Sequence, residues 1–333
     1  MRNLRITLQP GDTLHVTVPD AVPPPSQPPP PGVPAGPAPP VPGHPPTVFA
    51  PYTDVTLWPT PRLADLLDQT GAARLTLAFV VNDSENRLSW GGVQPWNWTD
   101  LWQQVHDVGA DRFVCSVGGA AGVDPCVGNP NVGDLFQQFS DLIHTFGFDT
   151  LDFDVEGAAV ADVESVQRRN RLIRSLNVAF PNLKIHFTLP VSRSGLDAAC
   201  VALLRDAVGQ KCVVHVVNLM TMDYGVGVSD MGDAALQALK ASEDQIRAAG
   251  MVPRSGLGVC PMIGQNDTAG EVFTLADARR VAAFVGANPW VTWLTFWSTA
   301  RDNGQPNGPD KSSGVQQADF AFSQIFSDAQ TYK

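Results

Sequence analysis

Hydrophobic positions in this 333-residue chain fall into three regimes, each marking a segment. Leu4, Ile6 and Leu8 alternate with polar residues, Pro10-Gly11-Asp12 supplies a turn, and Leu14, Val16 and Val18 alternate again, the pattern of a β-hairpin. Residues 1–21 are therefore expected to form a hairpin arm. An isolated hairpin is marginally stable in water, so the arm either docks on the main domain, on a second copy of the chain by self-association, or on another partner, or stays a floppy appendage; both readings stay open. Between residues 22 and 46 the periodicity disappears, and 14 of 25 positions are proline. Proline fixes φ and lacks the amide donor that helices and inner strands need, so this segment reads as a semi-rigid polyproline linker.

From Thr47 onward, short β-branched runs alternate with longer stretches of helical period. Strands are expected at 48–52, 74–80, 113–118, 150–156, 184–190, 213–222, 256–261 and 291–297, with amphipathic helices between them, as at 135–146, 163–179, 234–249 and 275–285. Parallel strands need long crossovers, and eight strand–helix repeats over residues 47–333 fit an α/β fold of the (β/α)8 TIM barrel type. A doubly wound open sheet has the same alternation, but no G-x-G-x-x-G follows the first strand.

Composition narrows the function more than the fold. Hydrophobic residues make up 44% of the chain, enough for a large core, and the formal net charge is −11. Nucleic acids and anionic membrane surfaces are gripped by clustered Lys and Arg, so neither is an expected partner, and a neutral substrate is easier to accommodate. No run of about 18 apolar residues is present to form a membrane-spanning helix, and Met1-Arg2-Asn3-Leu4-Arg5 lacks the apolar stretch of a secretory signal. Of the five cysteines, Cys115 and Cys126 bracket a glycine-rich loop that a short disulfide would close; buried unpaired thiols are the simpler expectation. The six histidines show no paired spacing that would gather metal ligands, and neither a metal nor a cofactor is expected.

Candidate chemistry concentrates in Phe148-Asp149-Thr150-Leu151-Asp152-Phe153-Asp154-Val155-Glu156-Gly157. Strand alternation turns Leu151, Phe153 and Val155 toward the helices and Asp152, Asp154 and Glu156 toward the barrel interior, with successive carboxylates about 6–7 Å apart. Carboxylates so close in a partly desolvated site do not all ionise; at least one pKa rises and a proton is shared. A carboxylic acid that stays protonated near neutral pH is what general-acid catalysis requires. An acidic ladder without chemistry would carry the same residues, but Glu156 comes last, at the end of the fourth strand, where barrel enzymes gather their catalytic groups. A calcium site fits less well, because alternation spreads the oxygens along a line.

This segment resembles the D-x-x-D-x-D-x-E signature of family 18 glycoside hydrolases, with Asp149, Asp152, Asp154 and Glu156 in register. Ser116-Val117-Gly118-Gly119 is similar to the family's S-x-G-G motif, and segments 217–224, 258–264 and 293–298 extend the likeness to about residues 48–328. It looks closest to the compact bacterial chitinases without an α+β insertion. The resemblance implies a retaining, endo-acting chitinase on β-1,4-linked N-acetylglucosamine, in which the substrate's own 2-acetamido group attacks the anomeric carbon and forms an oxazolinium. It implies Glu156 as proton donor and later base, Asp154 as the group that orients the acetamido nitrogen, and Asp152 as holder of a shared proton. Asp149 is expected to be structural, and Ser116, Gly118 and Gly119 to serve packing.

Substrate contacts are expected from Trp297, beneath the cleaved sugar, from Tyr52, and from Met222-Asp223-Tyr224. The commonest family pattern at that last place is M-x-Y-D. Methionine at the tyrosine position donates no hydrogen bond, which leaves Asp223 to bind substrate and Tyr224 as the substitute hydroxyl. The cluster Trp90, Trp96, Trp98 and Trp102 either extends the cleft or packs a long loop. The implied partners are chitin or N-acetylglucosamine oligosaccharides, and that substrate class implies an extracellular location. Two alternatives stay open within the resemblance: an endo-β-N-acetylglucosaminidase acting on N-glycans, and a non-catalytic chitin-binding lectin, whose family relatives have lost the glutamate that this chain keeps.

Overall fold

The computed structural model describes residues 46–332 apart from Val226; the expected hairpin and all but the last residue of the proline-rich segment lie outside the described residues. Eight parallel strands follow one another in the chain. The first is split by Pro51 into Val48–Phe49 and Tyr52–Asp54. The others are Leu75–Asn82, Phe113–Gly118, Thr150–Asp154, Lys184–Pro190, Val216–Met220, Gly256–Cys260 and Val291–Leu294. Each neighbour in sequence is a neighbour in the sheet. The first strand closes the ring: on one side Ala50 N and Tyr52 N donate to Leu294 O and Phe296 O of the eighth strand at 2.8 and 3.0 Å. On the other side Phe49 O and Pro51 O accept from Arg74 N and Thr76 N at 3.2 and 2.9 Å. Proline cannot donate to a ladder, which is why regular pairing breaks at residue 51.

One helix of eight residues or more follows each strand: Leu63–Thr70, Thr99–Val108, Val132–Phe146, Val163–Ala179, Ala198–Gly209, Met231–Ala248, Leu275–Ala287 and Ala321–Ala329. Local chemistry sets their ends. Asn131 accepts from Gly133 N and Asp134 N to start the third helix, and Gly147, at φ 76°, stops it with its N–H on Ile143 O, a left-handed cap that glycine adopts without strain. Between those caps Leu135, Phe139, Leu142, Ile143 and Phe146 share the buried face. Phe139 meets Phe153 of the fourth strand at 5.9 Å between ring centroids. Burying such a ring contributes about 1.5–3 kcal/mol, and Phe139→Ala would cost about 3–5 kcal/mol once the cavity is counted.

The N-terminal end of the barrel is sealed by ion pairs. Arg74 donates to Thr150 Oγ1 at 2.9 Å, to Phe113 O at 3.1 Å and to Asp149 Oδ1, and Lys184 Nζ reaches Asp149 Oδ2 at 3.2 Å. Asp149 thus ties the second, fourth and fifth strands together at the floor. Beside it His186 is buried and meets Trp293 edge-on at 4.6 Å. All five cysteines are unpaired, with Cys115 and Cys126 both buried, so the glycine-rich loop between them is not stapled.

Candidate active site

The C-terminal end of the barrel is built differently. Asp152 and Asp154 point inward from the fourth strand and are buried, while Glu156, two residues past the strand's end, is half-buried at the mouth. Gly157, with φ 54° and ψ −132°, turns the chain out of the strand there, which ends regular pairing at Asp154, short of the Glu156 limit that alternation predicts. Asp152 takes three hydroxyl donors: Tyr52 Oη at 2.8 Å and Ser116 Oγ at 2.7 Å on Oδ2, and Thr188 Oγ1 at 2.7 Å on Oδ1. These come from the first, third and fifth strands, so the carboxylate sits at the centre of the barrel. Asn218 Nδ2, on the sixth strand, carries the network on to Thr188 Oγ1 at 3.1 Å and Thr295 Oγ1 at 3.3 Å.

The three carboxylates are all raised, by different surroundings. Burial pushes Asp152 up, but three hydroxyl protons oppose the rise. Asp154 is pushed much further, by burial first and then by the charges of Glu156 and Asp152, and its Oδ1 has no hydrogen-bond partner among the described residues. Burial also raises Glu156, its hydrogen bond with Asp154 pulls it back, and the charge of Asp223 raises it again. That bond raises Asp154 and lowers Glu156, so Asp154, between a saturated Asp152 and a half-buried Glu156, is the acid pushed well above the ordinary carboxylate range. No Lys or Arg among the described residues pairs with any of the three.

Two residues expected to serve elsewhere belong to this network. Ser116 does more than pack, since it donates to Asp152, and Tyr52 is buried behind the carboxylate with its hydroxyl spent on Asp152 instead of lining an open pocket. Gly118 and Gly119 do serve close approach. A Cβ at Gly118 would collide with the carbonyl oxygen of Asp154, and one at Gly119 would lie 2.7 Å from the Phe79 ring.

Trp297 stacks on Phe79 with centroids 5.5 Å apart and planes 12° apart, and it tilts against Tyr52 at 6.1 Å. Met222 packs in the same cluster with Tyr52, Ala78 and Cys260. Phe79 is a member that period-2 reading misses: pairing of the second and third strands shifts between Leu77 and Val80, and such an irregularity re-aims side chains. Asp223 adopts φ 48°, and its Oδ1 accepts from Thr268 N at 2.9 Å. Tyr224 N donates to the buried Glu271 at 2.9 Å, whereas the Tyr224 hydroxyl is buried with no partner among the described residues. The Asn266 amide is occupied by Met262 O and Gly264 O. The loops after the sixth and seventh strands are thereby laced together beside Glu156. Trp90, Trp96, Trp98 and Trp102 pack against the hydrophobic core; Trp90 is fully buried and meets Phe146 at 6.0 Å.

No family model matches the chain. Among curated proteins it is 32% identical over 310 residues to a probable bifunctional chitinase/lysozyme of Escherichia coli (strain K12), covering 84% of this chain and 34% of that protein. It is 31% identical over 277 residues to endochitinase 11 of Metarhizium anisopliae, covering 77% and 52%. The chain thus spans about a third and about half of these two relatives. Among solved structures, active domain 2 of a thermostable chitinase from Pyrococcus furiosus, in complex with chito-oligosaccharides, matches with a TM-score of 0.75. Its identity is 26%, over 86% of this chain and 94% of that one.

Proposed function

We propose a chitin-cleaving function from one premise: the chain belongs to the family 18 chitinases. In this reading it is an endo-acting glycoside hydrolase that cuts β-1,4 bonds between N-acetylglucosamine units with retention of configuration. The observation that carries it is the line Asp152–Asp154–Glu156, with the first carboxylate fixed by three hydroxyls, the second buried with an oxygen that has no partner among the described residues, and the third half-buried at the mouth.

Glu156, whose acid form is favoured by burial and by the charge of Asp223, gives its proton to the glycosidic oxygen. The substrate's acetamido oxygen attacks the anomeric carbon, so no enzyme carboxylate need be the nucleophile. Asp154 accepts the acetamido N–H through the oxygen that has no partner among the described residues, which holds the acetamido group against the anomeric carbon and stabilises the positive charge that develops on the oxazolinium. Asp152, locked in place, keeps Asp154 from relaxing away. Glu156 then draws a proton from water, which opens the oxazolinium and restores the starting state. The Trp297–Phe79 pair forms an apolar floor on which a pyranose face stacks, and Asp223 and Tyr224 supply polar contacts at its edge.

Product analysis tests the substrate class. Incubation with N-acetylchitohexaose is expected to give shorter chito-oligosaccharides, while a high-mannose glycopeptide stays whole. Cleavage of the glycopeptide alone would replace this reading with an endo-β-N-acetylglucosaminidase; binding of the hexamer without cleavage would replace it with a lectin.

A further inference from the structure

We infer that Asn266 and Glu271, in the hairpin after the seventh strand, are positioning residues that hold Asp223 and Tyr224 at the rim of the site in the pose that meets substrate. The inference rests on the reading of Asp223 and Tyr224 as substrate contacts. Regular pairing of the sixth strand ends at Met220, and Thr221 N still reaches Cys260 O at 2.9 Å. Met222 then packs into the apolar floor with Tyr52 and Trp297. Asp223 and Tyr224 follow, half-buried and outside any strand or helix.

The hairpin supplies the partners that a sheet would have given. Gly264–Gln265 pairs with Val272–Phe273, and across the turn Asn266 N donates to Glu271 O at 2.9 Å. Asn266 Oδ1 accepts from Asp223 N at 3.1 Å while its own amide is anchored on Met262 O and Gly264 O, and Thr268 N returns a bond to Asp223 Oδ1 at 2.9 Å. Asp223 is thus clamped by backbone and carboxylate at once. Its φ of 48° is one that a residue with a side chain keeps only where the surroundings over-determine it. Glu271 takes the next amides, Tyr224 N on Oε2 at 2.9 Å and Val228 N on Oε1 at 3.4 Å. It is 1% exposed and pairs with no Lys or Arg among the described residues. Burying a carboxylate without a cation is costly, and an apolar side chain would fill the space without that penalty. Only an acceptor, however, can serve two backbone amides that no strand or helix satisfies. Neither residue has a hydrogen bond to Asp152, Asp154 or Glu156 among the described residues, so any effect on turnover passes through the segment they hold.

The test is a mutant cycle on N-acetylchitohexaose with the full chain. Asn266→Ala and Glu271→Ala are each made in wild type and in a background that lacks both rim side chains, Asp223→Gly with Tyr224→Ala; glycine takes the left-handed φ without strain. In wild type each is expected to lower kcat/KM about tenfold, and in the background by less than about twofold, because nothing is left to position. Glu271→Gln, which keeps the shape and one acceptor oxygen, is expected to fall between wild type and Glu271→Ala. Should an alanine variant not fold, Asn266→Ser or Glu271→Gln is put through the same cycle under the same criterion. Equal losses in both backgrounds, as a purely structural role would give, or wild-type kcat/KM in either single variant, overturn the inference. Wild-type kcat/KM in the background itself removes its premise and the inference with it. An inactive wild-type chain, or an active Glu156→Gln chain, overturns the catalytic reading instead.

Discussion

The two ends of the barrel treat buried charge in opposite ways. At the floor, Asp149 is met by Arg74 and Lys184; burial would raise it, but Arg74, Thr150 and Lys184 outweigh burial and hold it below the ordinary carboxylate range. At the mouth, Asp152, Asp154 and Glu156 have no cation among the described residues, and all three are raised. Both regions use the same strand, only a few residues apart. Removing charge should therefore weaken the floor and relax the mouth.

The largest expected effect is on turnover at the mouth. Asp154→Asn should lower kcat about 10²–10³-fold while raising the melting temperature at pH 8 by about 2–4 °C. An acid raised by folding contributes stability fully present below its ordinary pKa and lost as pH rises through the folded value. Asparagine removes that loss, so the gain in melting temperature should fade toward pH 4; thermal scans across pH check the sign. At the floor, Arg74→Met should cost about 2 kcal/mol in urea unfolding, discounted because Asp149 is partly exposed, with kcat within about twofold of wild type by the same reasoning. Loss of activity without loss of stability would break the division between the two ends.

Smaller effects sharpen it. Trp297→Ala should raise KM for chito-oligosaccharides about tenfold, the equivalent of about 1.4 kcal/mol of lost stacking, and leave the pH profile in place. Acid titration of the fold tests the floor alone. Asp149, depressed on folding, contributes stability present above its ordinary pKa and lost as pH falls through the folded value, so the difference between wild type and Arg74→Met should narrow below about pH 4.

What was legible in the sequence followed from period. Alternation identifies the acidic face because every second residue of a strand shares a side, and eight β-branched runs separated by helical stretches fix the barrel. The hydroxyl network was illegible: Thr188, Asn218 and Thr295 are ordinary strand residues until the ring closes and brings the first, third, fifth and sixth strands round one carboxylate. Phe79 was hidden because a local register shift reverses its face.

The most direct test follows the products of N-acetylchitohexaose by NMR for wild type and Glu156→Gln at matched melting temperature. The account predicts that wild type releases the β-anomer first, and that Glu156→Gln slows cleavage about 10³-fold while still binding the hexamer. Undiminished turnover in the variant, or the α-anomer appearing first in wild type, would contradict it.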